Sequence, residues 1–301
     1  MSPFVVSRAA PHELLPACRL LFAATHADHS RDRLLADGRA SALFVARDAG
    51  GRLHAAALVE ALPGAMGVAW APRGDSRDAI DAVTVAACAW LRERRVKVCQ
   101  AFAAASERDE MAPLERCGFR HATQLVFLRR EVDRERDQAV WQPLQSPLTL
   151  CSYKPGSAQP FAQTLVMTHE ASLDCPELNE PRTTAELLDG FRQPEPTPAR
   201  WYRVLATDVP HVSAAVGVLM FDDGPEPTDR EISYVGIVPG ARRRGYADQL
   251  IRFAIWVTYA QGDRALTVSV DARNEPAMKL YARHGFVEYD RREVWLASWS
   301  A

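Results

Sequence analysis

At 301 residues and 33.4 kDa the chain is too long for a single small module and, at roughly 100–200 residues per domain, should hold two domains with a core each. A hydrophobic share of 48% with 25% charged residues excludes a disordered or fibrous chain, and a net charge of -2 gives no electrostatic footing for a nucleic-acid or anionic-membrane partner. The six cysteines form no CxxC pair and have no His at metal-ligand spacing, the first residues show no leader pattern, and no apolar run approaches a membrane span. The expectation is a soluble, reduced, cytoplasmic protein without a metal.

In chain order, apolar patterning predicts strands at Leu43–Arg47, Leu53–Leu62 and Ala65–Ala71, a helix across Arg77–Arg92, a strand at Val96–Ala103 and a helical stretch from Met111 to Cys117. Asp133–Pro147 is charged, then Gln- and Pro-containing, and reads as a linker; Gln193–Pro198 is a second Pro-rich break. Beyond it the order recurs, with strands at Trp201–Ala206, Val212–Phe221, Ile232–Val238 and Ala265–Asp271 and helices at Ala247–Tyr259 and Pro276–His284. Two markers tie the halves together. Val68 to Pro72 and Gly118-Phe119 reappear as Val235 to Pro239 and Gly285-Phe286, both displaced by 167 residues, which predicts a tandem duplication aligned without gaps between the markers. The expected domains are 1–132, a linker at 133–147, and 148–301.

The most informative segment is Glu231–Ile251, a strand leading through a Pro-bounded turn and three arginines into a helix. Unpaired amides and the positive end of the helix dipole favour an anion there, and Gly245 with the small Ala247 lets a diphosphate approach the backbone. Here the chain resembles the GNAT superfamily of N-acetyltransferases: Arg242-x-x-Gly245-x-Ala247 follows Ile237-Val238-Pro239, and Asn274-x-x-Ala277-x-x-Leu280-Tyr281-x-x-x-Gly285-Phe286 matches a second signature. The resemblance spans about 148–299, and the tandem layout is similar to that of the mycothiol synthase-like proteins.

The resemblance implies a mixed α/β (α+β) fold: two tandem domains, each a mostly antiparallel mixed twisted sheet flanked by helices. It implies acetyl-CoA as co-substrate and direct acetyl transfer to a small amine by the second domain. Backbone groups of Val235 and Ile237 would hold the acetyl and pantetheine parts. Arg242, Arg243, Arg244, Gly245, Tyr246 and Ala247 would cradle the pyrophosphate, and Asn274 would bond the pantetheine or backbone beside it. Tyr281 would protonate the departing thiolate and Glu231 would deprotonate the amine. From the residues alone, Tyr281 also reads as a half-buried aromatic and Glu231 as a solvated strand residue. No cysteine sits at a motif position, so no acyl-cysteine is expected.

The segment Phe161–Gln193 would line the acceptor pocket, with Asp174, Glu177 and Glu180 holding a cationic amine or merely capping helices. At the 167-residue offset the first domain carries Asp75, Asp78, Ile80, Glu107 and Leu114 in place of Arg242, Gly245, Ala247, Asn274 and Tyr281. It is therefore expected not to bind acetyl-CoA. A non-catalytic acyl-CoA-binding protein is the alternative, and the chain is expected to be a monomer or homodimer.

Overall fold

A computed structural model of the chain describes residues 3–22, 42–133, 137, 144–178, 182–191, 200–209 and 215–299. Two units emerge: Met1–Ala122 with Arg292–Ala301, and Thr123–Arg291.

The first unit begins with β1 (Val5–Arg8), α1 (Leu14–Leu21), β2 (Leu43–Arg47), β3 (Leu53–Leu62), β4 (Met66–Ala69) and β5 (Arg73–Gly74). It continues through α2 (Arg77–Glu93), β6 (Val98–Ala103) and α3 (Ala112–Arg116). Helix α2 forms because Ala79, Val83, Ala87, Trp90 and Leu91 recur at helical spacing and are buried together, while Ser76 accepts from the Ala79 amide as N-cap. β1 to β4 pair antiparallel in sequence and β4 pairs parallel with β6. One face of this sheet is covered by α2 and α3, the other by α1.

The second unit takes most of β7 (Arg120–Glu131), then β8 (Leu148–Ser152), α4 (Ala158–His169), α5 (Thr184–Gly190), β9 (Trp201–Ala206) and β10 (Ala215–Asp223). After these come β11 (Asp229–Ile237), α6 (Tyr246–Ala260), β12 (Ala265–Asp271), α7 (Glu275–Arg283) and the start of β13 (Val287–Ser298). Its sheet runs β7-β12-β11-β10-β9-β8, antiparallel except at β11/β12. Helices α6 and α7 pack on one face around Leu250, Ile251, Ile255 and Leu280; α4 and α5 pack on the other around Phe161, Leu165 and Trp201. Each unit is thus a mostly antiparallel mixed sheet flanked by helices.

The units do not coincide with the halves of the sequence. β7, which ends the first half, lies beside β12 in the second unit, with Glu131 opposite Ala265 and Leu125 opposite Asp271. β13, which ends the second half, lies beside β6 in the first, with Ser298 opposite Val98 and Glu293 opposite Ala103. Adding 167 to the first member of the pair Glu131/Ala265 and subtracting it from the second gives Ser298/Val98, so the two closing strands hold one register in both units. The offset also carries α2 onto α6, β6 onto β12, and Gly118 onto Gly285, both at positive φ. It fails on the strand before the helix. Met66 pairs with Val98 in the first unit, but Asp229, not Ser233, pairs with Ala265 in the second. The ungapped alignment expected from Pro72 and Pro239 is corrected there: measured by pairing, the strand offset is 163, four residues short.

The predicted strand Ala65–Ala71 is confined to Met66–Ala69. Of the expected linker only 133, 137 and 144–147 are described, and Asp137 is buried against the Arg130 guanidinium inside the second unit. Gln193–Pro198, Glu180 and the start of the strand expected from Val212 lie outside the described residues.

Candidate functional site

The pairing of β11 with β12 runs from Asp229/Ala265 to Ile232/Val268 and stops, although β11 continues to Ile237 and β12 to Asp271. At the same level the β10/β11 register slips between Met220 and Phe221, leaving Ser233 as an extra residue in β11. Such a bulge bends its strand and increases its twist, so the parallel strands part. The Val238 amide donates to the Val216 carbonyl at 2.9 Å, which turns Gly236 toward β10 and, by strand alternation, turns the backbone groups of Val235 and Ile237 into the wedge where β12 has left. Polar backbone aimed at a missing strand is a binding surface for an extended amide-bearing chain.

At the end of the wedge the chain turns into α6. Arg243 has φ 62° and Gly245, the N-cap, φ 79°; a Cβ built on Gly245 would meet nothing within 4 Å, so glycine is required by conformation and the space before it is open. The first bond of the helix is donated by Gln249 to Gly245, so the earlier amides point out of the helix end, with Arg243 and Arg244 exposed beside them. The three arginines then separate in role. Arg242 donates from Nε to the Ile237 carbonyl (2.9 Å) and from its terminal nitrogens to the carbonyls of Ala171 (2.9 Å), Thr168 (3.1 Å) and Glu170 (2.7 Å). It ties the carboxyl end of α4 to the turn. Tyr246 is buried and its hydroxyl donates to Asp208, while Ala247 is half-buried.

Beyond β12, Asn274 caps α7 by accepting from the Ala277 amide. Tyr281, further along α7, is buried against Phe286. Burial, with the nearby Asp174 carboxylate adding to it, raises the phenol above its ordinary pKa. Asp174 turns in from an exposed loop to accept the Asp271 amide at 2.9 Å. Loss of water and the Asp271 carboxylate push Asp174 above the usual carboxylate range despite that bond. Asp271 itself is fully buried. Burial alone would raise its pKa, but the Arg273 guanidinium, the Thr123 hydroxyl (2.6 Å) and the Arg273 and Cys175 amides hold it low. Arg273 is shared with Glu177, a bidentate pair at 2.7 and 3.0 Å, so Glu177 is committed to that arginine. This Asp271–Arg273 hub was not singled out in the sequence; nothing in the residue pattern marks it.

Glu231 stands across from Asp222 in the β10/β11 register. Burial first, then the Asp222 charge, raises its pKa; Asp222 is raised as well, chiefly by burial. Its electrostatic neighbour is therefore Asp222, whereas that of Tyr281 is Asp174. On β11, Tyr234 packs over His169 and Phe191, and its hydroxyl lies 2.7 Å from Thr168 Oγ1. Gly236 allows this approach, since a Cβ there would lie 2.7 Å from Thr168 Cβ. Tyr234 also escaped the sequence reading.

In the first unit the equivalent turn is differently built. β4 pairs with β6 over its whole length, from Met66/Val98 to Ala69/Ala101, so no unpaired run borders a wedge. Ser76 caps α2, and Asp75 is held by His54 (2.8 Å) and Arg52 (3.0 Å). Asp78 lies in the first turn of the helix, Glu107 caps the Ala104 amide, and Leu114 is buried in the core. A cleft of about 880 Å³ does open there, lined in part by Arg19, Asp75, Arg77, Ile80, Asp109 and Glu110.

Among the described residues no group of three His, Cys, Asp or Glu could hold a metal ion, and no helix is long and apolar enough to cross a membrane. Comparison with known proteins adds a family: residues 165–286 match the Acetyltransferase (GNAT) family. The chain is 39% identical over 67 residues to a mycothiol acetyltransferase of Paenarthrobacter aurescens (strain TC1), a match covering 22% of this chain and only 21% of that protein. Among solved structures it is similar to a GCN5-related N-acetyltransferase from Sphaerobacter thermophilus, with TM-score 0.60 and 20% identity over 99% of this chain and 96% of that one. It is also similar to a tandem GNAT protein from the clavulanic acid biosynthesis pathway, with TM-score 0.54 and 14% identity over 98% of both chains. At these identities the structures share the fold.

Proposed function

We propose that the chain, whose residues 165–286 match the Acetyltransferase (GNAT) family, is an acetyl-CoA-dependent N-acetyltransferase acting on a small amine, with the second unit active and the first unit lacking the acetyl-CoA site. The observation that carries this reading is the wedge between β11 and β12, continuous with the open turn at Gly245 and, among the described residues, without a counterpart between β4 and β6 of the first unit. Its residues fit a nucleotide thioester: unpaired strand backbone for an amide-bearing arm, helix amides and two exposed arginines for a diphosphate.

Acetyl-CoA supplies an activated acyl group, and the protein supplies position and proton traffic. Backbone groups of Val235 and Ile237 orient the thioester end. The amides from Arg243 to Ala247 hold the phosphates, assisted by the Arg243 and Arg244 side chains, while Arg242 acts indirectly by fixing the turn. Asn274 starts α7, which presents Tyr281. Tyr281, like any phenol, is protonated at neutral pH, and burial raises its pKa further; that is the state needed to donate to a leaving thiolate. Glu231, its pKa raised toward the working range, takes the proton that an ammonium must lose before it attacks. Asp174 anchors the cationic amine, and Glu177 serves by holding Arg273. The enzyme is read as cytoplasmic, a monomer or homodimer, with no disulfide among its six cysteines in the described residues, in accord with a reducing compartment.

The test is calorimetric titration of acetyl-CoA into the protein and its Gly245→Glu variant, followed by thiol release with a panel of small amines. One site per chain, lost in the variant, supports the reading. Two sites overturn the role given to the first unit, no site overturns the acetyl-CoA dependence, and binding without turnover leaves an acyl-CoA-binding protein.

A further inference from the structure

The fully buried carboxylate of Asp271 is not something the fold demands. At the 167-residue offset its place in the first unit is taken by Ala104, which follows β6 and whose amide is answered by Glu107 at 3.0 Å. The first unit thus builds the same strand end with a methyl group where the second keeps a charge, and a charge out of water is unfavourable unless partners offset it. The partners of Asp271 fall into two sets. Thr123 Oγ1 (2.6 Å), the Arg273 amide (2.8 Å) and the Arg273 guanidinium (2.7 Å) hold the carboxylate at the strand end, whereas the Cys175 amide (3.0 Å) reaches it from the segment after α4.

The direction of the Asp271 amide shows what that last bond accomplishes. Ala272 donates to the Gln124 carbonyl beside β7 at 2.9 Å, so by strand alternation the Asp271 amide points to the opposite side of β12, the side from which β11 has parted beyond Ile232. Its acceptor there is Asp174 Oδ1, at 2.9 Å. Two bonds therefore run in opposite directions, one from the Asp271 amide to Asp174 and one from the Cys175 amide to the Asp271 carboxylate. Glu177 fastens the same segment to Arg273 at 2.7 and 3.0 Å, and Arg273 is itself held by Asp271. The Asp174 carboxyl is set in this way on the β12 wall of the wedge, while Asp174 as a residue stays exposed. The groups that face it are Asp271, Arg273 and the Asn274 side chain, with the Tyr281 and Tyr234 phenols within reach of its charge.

We infer that Asp271 is a positioning residue for the acceptor: it fastens residues 172–178 to the end of β12 so that Asp174 meets the ammonium of a small amine on that wall of the wedge. The inference rests on the acetyltransferase reading, in which Asp174 anchors the amine. Asp271 touches no substrate; it acts through Asp174, and the first unit, with Ala104 in its place, has no use for it.

Two measurements separate this role from a structural one. In the 15N-labelled full-length protein without substrate, NMR should show the Asp271 amide proton moving upfield on acidification, through a midpoint above the ordinary aspartate value of about 3.9. Protonating Asp174 weakens the bond that it accepts, and its pKa is raised, whereas Asp271 itself is held low. Asp174→Asn should abolish the movement. In steady-state kinetics with whichever small amine the wild type acetylates fastest, Asp174→Asn and Asp271→Ala should each raise the KM for the amine about 10-fold, with the double variant no worse than Asp174→Asn alone. Asp271→Asn, which keeps an acceptor for the Cys175 amide, should recover part of the loss. Factors that multiply to about 100-fold in the double variant make Asp271 merely structural and overturn the proposal. So does an Asp271 amide that fails to titrate in the wild type, a result that stands whether or not any variant folds. Absence of turnover with every amine, while the amide still titrates, removes the acetyltransferase reading and the role with it, and leaves the contact between Asp174 and Asp271 standing.

Discussion

Tyr281 and Glu231 are given opposite proton tasks, and burial raises the pKa of both. Replacing Tyr281 by Phe removes one hydroxyl without emptying the space beside Phe286. In steady-state kinetics kcat should fall about 10²-fold while the Kd for acetyl-CoA and the melting temperature stay near their starting values. Glu231→Gln separates function from stability. A carboxyl whose folded pKa lies above its unfolded value binds more protons folded than unfolded, so its contribution to stability declines as pH rises through that window and is unfavourable at neutral pH. The amide removes that penalty and the repulsion with Asp222, so at pH 7 the variant should melt at a higher temperature than the wild type and have lost most of its turnover. Well below the pKa of the unfolded carboxyl, where Glu231 is neutral folded and unfolded, the difference in melting temperature should vanish. A wild-type melting temperature equal to the variant's across this range contradicts the linkage, and undiminished turnover removes Glu231 from the role of base.

At the scale of elements, the turn between β11 and α6 was legible because its chemistry is written in local residues: a helix start, a glycine at positive φ, small neighbours. What was not legible was the division of labour among its arginines, because the acceptors of Arg242 are carbonyls at positions 168, 170 and 171, some seventy residues away. The wedge beside Val235 and Ile237 was expected through the family resemblance alone, and its cause was not. The sequence markers suggested an ungapped repeat, whereas the four-residue difference in strand pairing, visible only in register, is what opens one sheet and keeps the other closed. Substituting the turn residues one by one should display the division. Arg242→Ala leaves four carbonyls without their charged donor and should cost about 2–4 kcal/mol in denaturant unfolding, with Lys a poor substitute because it lacks the planar fork. Arg243→Ala and Arg244→Ala should leave unfolding unchanged within about 0.5 kcal/mol and raise the KM for acetyl-CoA several-fold, an effect that shrinks at high salt. Equal destabilisation by all three would mean that the turn, not the anion, requires the charges.

At the scale of the molecule, the two-domain organisation was readable from length and repeat, but the exchange of closing strands was not, because β7 and β13 carry the same register and either would satisfy a sequence-based assignment. The consequence is a reversal of which fragment should stand alone. Residues 148–301 look like the natural second domain, yet they omit β7, and with it seven register pairs with β12 from Ala265/Glu131 to Asp271/Leu125. They also lose Thr123 and Arg129, the partners of the buried carboxylates of Asp271 and Asp229. Removing one donor from each of two buried carboxylates and leaving one flank of β12 unpaired is costly on both counts. The contiguous fragment 123–291 keeps every one of these partners together with the wedge, the turn and Tyr281. It should give a cooperative thermal transition and bind acetyl-CoA with one site, while 148–301 gives neither. Should 148–301 fold and bind as well, β13 has taken the place of β7 at the same register, and the preference for the exchanged arrangement is set by the connection between the halves and not by the strands themselves.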